Sequence, residues 1–351
     1  MFYHLSDMRT SILNWYEWKE DASILEVGGE FGALTGLLCE HAAHVTTVEY
    51  GLFKAEAICR RYEDRHNLDI YAGNILDIEF EEEFDYIVMV GCLERQCGGS
   101  KSSKEYSEYL KKIVTLLKPN GRLLAAVDNR YGLRYFCGEV ETYTGKPFAG
   151  IKHYPQAAKG YTFSRQELLN IMKEAGFKNV KFYYPLPDYK LAQMIYSDNY
   201  LPQKDLGERL LFYHRNQSTL LVPEQQLYSD LIDNQVFPFF ANSFLTESSL
   251  DGESSSFLFA AVTTDRGKKH GLSTCVHEIS RKGEKKEGWI VKKRALYRDG
   301  QPSIESVYNN MMELEKRGIP VVPHKIEGDA VVMPFIPDIT CSDYLRKLVS
   351  V

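Results

Sequence analysis

The sequence predicts a doubly wound α/β sheet of seven strands, followed by a smaller C-terminal α+β unit. Three observations carry this. Short apolar segments alternate with helical ones from residue 23 to residue 184, the pattern of repeated strand–helix units around a parallel sheet. The segment FDYIVMV at 84–90 is almost entirely apolar, as a strand is when helices cover both of its faces. The polar stretch SSLDGESSS at 248–256 then breaks the alternation, and beyond it strands arrive without helices between them.

Taken in order, residues 5–19 read as a leading helix with Ile12, Leu13 and Trp15 on its apolar side. A strand at 23–27 is followed by a helix at 33–41. The next strand, 44–49, leads into a helix from Phe53 to His66, and a third strand covers 68–72. After the 84–90 strand, a helix at 103–117 runs into Lys118-Pro119-Asn120-Gly121, a stop signal and turn, before a fifth strand at 122–128. Ser164-Arg165-Gln166-Glu167 has the spacing of a capping box, opening a helix that ends at Ala175-Gly176. A sixth strand follows at 178–184. Pro185-Leu186-Pro187-Asp188 opens a loop-rich stretch to about 223, a helix occupies 224–234, and FPFFANSFLTE at 237–247 reads as the seventh strand.

Residues 1–248 are therefore expected to form one domain, with cap or insert segments at about 129–160 and 185–223, and residues 249–351 a second, smaller one. In the latter, strands are expected at 257–264, 273–280 and 287–293. A helix at 303–317, strands near 321–326 and 329–335, and a terminal helix from Ser342 complete it.

Composition excludes several classes. A formal net charge of -6 argues against a general nucleic-acid binder, and the basic runs Arg281–Lys286 and Lys292–Arg294 are local. The seven cysteines have no C-x-x-C pair, so reduced thiols and no zinc or other metal site are expected. MFYHLSDMRTS has no apolar core behind a basic start, and no apolar run approaches the roughly 20 residues of a membrane span. The reading is a cytoplasmic protein.

The chemistry concentrates in ILEVGGEFGALTGLLCEHAAHVTTVE at 24–49. A strand, a glycine-rich turn, a helix and a second strand end on Glu49, where a carboxylate can accept both hydroxyls of a ribose. This is a nucleoside site at the switch point of an α/β sheet. A dinucleotide fingerprint would read G-x-G-x-x-G; here Gly28 and Gly29 are adjacent, Gly32 follows, and Glu26 and Glu30 flank them. A pyrophosphate would be repelled by those carboxylates. S-adenosylmethionine, which has no phosphate and carries a sulfonium and an amine, tolerates them. The stretch resembles motif I of the class I methyltransferases, an acidic residue followed by G-x-G-x-G. Glu26, Gly28 and Gly32 match, and Glu30 stands at the middle glycine. The resemblance implies a seven-stranded Rossmann-like sheet whose last strand inserts antiparallel beside the sixth. It also implies an adenine contact from Asn74 or Asp77 after the third strand, a cofactor contact from Gly91 after the fourth, and an acceptor site beside it near Glu94. Glu94 is a candidate base or acceptor-binding group.

After the fifth strand come Asp128-Asn129-Arg130-Tyr131-Gly132-Leu133, then Arg134-Tyr135-Phe136-Cys137-Gly138 and Thr144-Gly145. With Tyr184-Pro185-Leu186-Pro187-Asp188-Tyr189-Lys190, this set resembles a bacterial family of methyltransferase-like proteins associated with glycosyltransferases of cell-surface polysaccharide assembly. Tyr143 stands where that family has histidine, and Thr142 where it has an acid. The resemblance implies a sugar or glycan precursor as acceptor and a glycosyltransferase as partner. Asn129, Arg130, Tyr131 and Tyr154 are the expected acceptor-binding residues, and His153, the cap's histidine, is a candidate general base. The alternative is a non-catalytic cofactor-binding scaffold. The C-terminal order of strands and helices resembles the small lobe of protein-kinase-like folds. Lys292 or Lys293 would be its lysine and Glu305, Glu313 or Glu315 the helix partner. No glycine-rich loop, H-R-D or D-F-G accompanies it, so a structural or interaction role is expected.

Overall fold

The computed structural model describes residues 2–212, 217–279 and 288–338, with residues 344, 345 and 348 near the C-terminal end. The strands are β1 Ser23–Val27, β2 His44–Glu49, β3 Leu68–Ala72, β4 Phe84–Val90, β5 Leu117–Asp128, β6 Asn179–Leu186 and β7 Met194–Ser197. They continue as β8 Ser243–Ser249, β9 Phe257–Val262, β10 Leu272–Glu278, β11 Trp289–Ala295, β12 Lys325–Glu327 and β13 Ala330–Pro334. All belong to one mixed sheet in the order β12-β13-β11-β10-β9-β7-β6-β8-β5-β4-β1-β2-β3.

β1 to β5 are parallel. The chain winds outward from β1 to β2 and β3, then returns to place β4 on β1's other side. The carboxyl ends of β1 and β4 thus flank the switch point, where α/β sheets open a crevice. β4 is buried along its whole length. β8 runs antiparallel between β5 and β6, beside the sixth strand as the resemblance implied. Ser164 Oγ accepts from the Glu167 amide at 3.2 Å, and Glu167 Oε2 accepts from the Ser164 amide at 3.4 Å. The capping box thus opens the helix Arg165–Ala175, and left-handed Gly176 closes it.

Four segments differ from the sequence expectation. The leading helix is instead a helical turn at Phe2–Leu5 and a 3-10 turn at Asp7–Ile12. Ser6 is extended between them, and its hydroxyl accepts from the Met8 amide, which restarts the chain in a new direction. Burial then dictates the path: Ile12 and Leu13 are fully buried, and Trp15 stacks on Phe257 with ring centroids 3.7 Å apart. At the expected stop signal, β5 already begins at Leu117. Pro119 to Gly121 form an irregularity while the partner register moves from Phe84–Leu117 to Tyr86–Arg122. Phe237–Phe240 is a helical turn with proline in its first turn, where the missing N–H has no partner to lose; the strand starts only at Ser243. Lastly, β7 lies within the loop-rich stretch and pairs with β6 on one side and β9 on the other.

Through β7 the strands after residue 256 continue the sheet begun by β1. Their helix, Gln301–Lys316, runs over β11. Lys292 bonds Glu17 Oε1 at 2.7 Å, and Arg294 reaches the same oxygen at 3.0 Å, so the carboxylate partner of Lys292 comes from the leading segment. The basic run 281–286 and most of the expected terminal helix, including Ser342, lie outside the described residues.

Candidate cofactor and acceptor site

A cavity of about 770 Å³ opens at the carboxyl ends of β1, β2 and β4. Gly28, Glu49, Asn74, Cys92 and Arg95 are in its wall, and Tyr50, Phe53 and Lys54 form one side. The strand–turn geometry explains the glycine. Gly28 has φ +73°, and a Cβ there would lie 2.7 Å from Cys92 Cβ, so a side chain would both strain the turn and push it off the loop that follows β4. Gly32 continues the turn at φ +75° against the Tyr62 ring, and a Cβ on Gly29 would meet the Thr47 methyl at 2.7 Å.

Glu30 adopts φ +51°, the left-handed conformation that glycine takes freely and that costs another residue about 1–2 kcal/mol. Its carboxylate pairs with Arg95 at 3.0 Å, Lys54 at 3.8 Å and His4 at 3.4 Å. Burial works against its charge, but Arg95, Lys54 and His4 prevail and lower its pKa. The turn therefore keeps the backbone of the glycine pattern. Beneath it, Glu26 is buried; its Oε2 accepts from Thr35 at 2.6 Å and Thr47 at 2.8 Å. Burial raises its pKa, the two threonine hydroxyls oppose this, and Glu49 adds to it.

Glu49 is 5% exposed. Its two oxygens accept from the Glu30 amide at 2.9 Å and the Gly51 amide at 3.2 Å. A carboxylate has about four acceptor positions, so it is rigidly held yet retains capacity toward the cavity. Asn74 caps the turn Ile75–Asp77 by accepting from the Leu76 amide, whereas Asp77 is exposed on that turn and outside the cavity wall. Gly91, at φ +69°, has the Tyr189 hydroxyl directly over it.

Beyond Arg95, at the ends of β4 and β5, Glu94 is fully buried. Its Oε1 accepts from the Asp128 amide at 2.9 Å, and its Oε2 is buried without a partner. Burial, reinforced by the Asp128 carboxylate, pushes its pKa up to about 7. Asp128 is held by Arg134 at 2.6 Å, Thr142 at 2.9 Å and Lys190 at 3.5 Å. Tyr143, packed over Gly160, shares this environment: burial, then Glu94, Tyr189 and Asp128, raise its hydroxyl pKa.

The cap residues are placed differently from the sequence expectation. Arg130 is 2% exposed; its guanidinium pairs with Glu167, donates to Thr162 O and His153 Nδ1, and lies over the Tyr161 ring. The Tyr154 hydroxyl engages Glu141 at 3.0 Å and Thr162 at 2.6 Å. Asn129 donates to Phe239 O and Ala241 O and accepts from the Tyr131 amide, while Tyr131 stacks on Phe239. His153 is exposed and joined to Arg130. The valences of Arg130, Tyr154 and Asn129 are thus taken up inside the protein, because the cap must bury its own polar groups. The cleft's basic residues, Lys54 and Arg95, escaped the sequence reading; they are far apart in the chain, and no local spacing marks them.

Fold and cleft define the class: an α/β protein with a cavity at the switch point of its parallel strands, beside a glycine turn flanked by carboxylates rather than by a phosphate cradle. Residues 2–181, just over half of the chain, match the methyltransferase domain family, and the chain belongs to that family. Its cofactor is S-adenosylmethionine, whose charge suits the acidic turn. A demethylmenaquinone methyltransferase of Staphylococcus saprophyticus is 26% identical over 152 residues, covering 40% of this chain and 62% of that one. The ribosomal RNA small subunit methyltransferase A of Syntrophus aciditrophicus is 36% identical over 64 residues, 18% of this chain and 23% of that one. The N-methyltransferase NodS of Bradyrhizobium japonicum, solved with S-adenosylhomocysteine, is similar at a TM-score of 0.31 and 22% identity, over 35% of this chain and 61% of that one. The chain thus spans less than two thirds of the length of each of these relatives. Among the described residues, no helix is long and apolar enough to cross a membrane, and no three His, Cys, Asp or Glu residues are grouped to hold a metal ion.

Proposed function

We propose that the chain transfers a methyl group from S-adenosylmethionine to a small polar acceptor. The observation that supports this most directly is the cavity at the switch point, with Gly28 and the Glu49 carboxylate, held by two backbone amides and Lys54, in its wall. When bound, the cofactor supplies an electrophilic methyl group on a sulfonium. Glu49 accepts the ribose hydroxyls, Asn74 faces the adenine, and the Gly28–Gly32 turn lets the backbone approach. Glu94, with one oxygen unpartnered and a pKa near 7, is poised to take a proton from an acceptor hydroxyl or amine, since a base works best near the operating pH. Displacement at the sulfonium needs orientation above all.

The finer reading is that the acceptor is a sugar or glycan precursor and that a glycosyltransferase is the partner; it rests on the motif resemblance after β5. The strands after residue 249 serve a structural or interaction role in this reading, without phosphoryl transfer. ATP hydrolysis by the purified chain that disappears in a Lys292, Lys293 double alanine variant would overturn that part. The decisive experiment is calorimetry with S-adenosylhomocysteine, which should bind, whereas nicotinamide adenine dinucleotide binding more tightly would refute the cofactor assignment. Methylation of nucleotide sugars and glycan precursors is then assayed with and without the candidate glycosyltransferase. Cofactor binding without methylation of any of them would favour the scaffold alternative.

A further inference from the structure

Three distant segments meet on Asp128, at the carboxyl end of β5. Its amide donates to Glu94 Oε1 at 2.9 Å, from the loop after β4. Its Oδ2 accepts from Thr142 of the cap at 2.9 Å and lies 3.5 Å from Lys190 Nζ, on the loop after β6. Each of the last two contacts brings a tyrosine with it, Tyr143 next to Thr142 and Tyr189 next to Lys190. The Tyr189 hydroxyl stands over Gly91, 2.5 Å from where a Cβ would be, and so reaches the end of β4. Lys190 and Arg9 lie over its ring, 4.9 and 5.9 Å from the centroid, which fixes the ring and leaves the hydroxyl as its reaching end. Tyr143 packs on Gly160. Burial raises its hydroxyl pKa most, and the charges of Glu94, Tyr189 and Asp128 come next, as their nearness requires. Glu94, Tyr143 and Tyr189 thus converge beside Gly91.

Charge decides what such a group of side chains accepts. Arg134 pairs with Asp128 and Asp188, and Lys190 pairs with Asp128, so two cations match two carboxylates. Glu94 is the remaining carboxyl of the cluster, and its Oε2 is buried without a partner. An unmatched buried acceptor calls for a donor. Tyrosine oxygens accept as well as donate, and an ammonium carries three donors and no acceptor. A phosphate or carboxylate would meet like charge here. An alcohol brings one donor and is a very weak acid, whereas Glu94, raised by burial and Asp128 to about 7, is a modest base. An alkylammonium, with an ordinary pKa of about 10.4, lies far closer to it, as efficient proton transfer requires.

Resting on the methyl-transfer reading above, we propose that the atom methylated is an amine nitrogen, which enters as an ammonium and is held by Glu94 Oε2 and the hydroxyls of Tyr143 and Tyr189. One ammonium proton passes to the Glu94 carboxylate. The freed nitrogen lone pair forms the bond to the methyl carbon, the carbon–sulfur bond breaks, and its electron pair returns to sulfur. The products are S-adenosylhomocysteine, the methylated ammonium and a protonated Glu94, which then releases its proton to water. An amino sugar meets both this requirement and the motif resemblance after β5.

The test is calorimetry of the full chain, saturated with S-adenosylhomocysteine, against compounds that differ in one group: glucosamine against glucose, and ethanolamine against ethylene glycol. The amine of each pair should bind roughly 10- to 100-fold more tightly, the scale of a charge-assisted hydrogen bond. Glu94→Gln should erase that preference and leave S-adenosylhomocysteine affinity within about twofold, a change as small as a neutral surface substitution makes. Tyr143→Phe and Tyr189→Phe keep the rings and remove the hydroxyls. Each should cost roughly three- to tenfold in amine affinity, with melting temperature and S-adenosylhomocysteine affinity unchanged, two readouts that a purely structural role would move. With S-adenosylmethionine present, mass spectrometry should find the methyl group on nitrogen. Amines and hydroxyl compounds that bind alike, amines that do not bind, or a methyl group on oxygen would each overturn the proposal and leave the cofactor assignment standing. So would an amine preference that survives Glu94→Gln. Preferential binding without any transfer overturns the methylation step. A phenylalanine variant that binds amines normally, or melts early, removes that tyrosine from the pocket. If S-adenosylhomocysteine itself does not bind, the cofactor assignment fails instead.

Discussion

The glycine turn at 24–49 and the cap at 129–154 are both rich in groups that suggest chemistry, yet they differ in what those groups are doing. In the turn, Glu49 is fixed by two backbone amides and keeps acceptor capacity toward an open cavity. In the cap, Arg130 spends its guanidinium on Glu167, Thr162, His153 and the Tyr161 ring, and Tyr154 spends its hydroxyl on Glu141 and Thr162. Residue type is the same evidence in both places. Unsatisfied valence facing space separates a site from a frame, because a saturated buried group gains nothing by binding a ligand. Glu94 lies where the two regions meet and shares the features of both. It is as buried as the cap's polar groups, but Oε2 has no partner.

That contrast can be broken at four points. Arg130→Ala leaves Glu167 and the Thr162 carbonyl without their partner, and should lower the unfolding free energy by about 3–5 kcal/mol in urea titrations while sparing S-adenosylhomocysteine affinity. Normal stability with lost acceptor methylation would return Arg130 to the site. Next comes Glu94. Its pKa in the folded state is raised to about 7 from 4.5, so between those values the native protein holds a proton that the unfolded chain releases. Stability therefore falls as pH rises through that window, by about 3 kcal/mol from this group. Glu94→Gln should flatten that share of the slope, leaving a remainder of the same sign from buried Glu224, also raised to about 7. An unflattened profile would show Glu94 to be ionised throughout. Glu49→Ala should weaken S-adenosylhomocysteine by about 1.5–3 kcal/mol in calorimetry; unchanged affinity removes Glu49 from the cleft. The smallest effect belongs to Asp77→Ala, within about 0.5 kcal/mol in both stability and binding, since Asp77 is exposed outside the cavity wall. A clear loss of affinity would bring it back beside the adenine.

Local pattern made the α/β layer legible. Strands at 23–27, 44–49, 68–72 and 84–90 lie where apolar periodicity put them, and the Ser164–Glu167 box opens its helix with both reciprocal bonds. Each of these signals acts over a few residues: a strand's burial, a cap's hydrogen bond, a glycine's positive φ. The leading segment misled for the opposite reason. Its apolar residues fit a helix face, but Trp15 packs on Phe257 and Ser11 bonds Thr264, partners more than 240 residues away that no local spacing records.

By itself the sequence determined the parallel core, the glycine turn and the carboxylate that ends β2, because backbone conformation and burial pattern are written in neighbouring residues. Tertiary structure alone decided the rest. It paired Glu30 with Lys54 and Arg95, closed the cap's polar network on itself, and ran the sheet on through β7 to β9. It also left Glu94 with an open valence. Those outcomes depend on which distant groups meet and which are denied a partner, and such meetings are set by packing across the whole sheet.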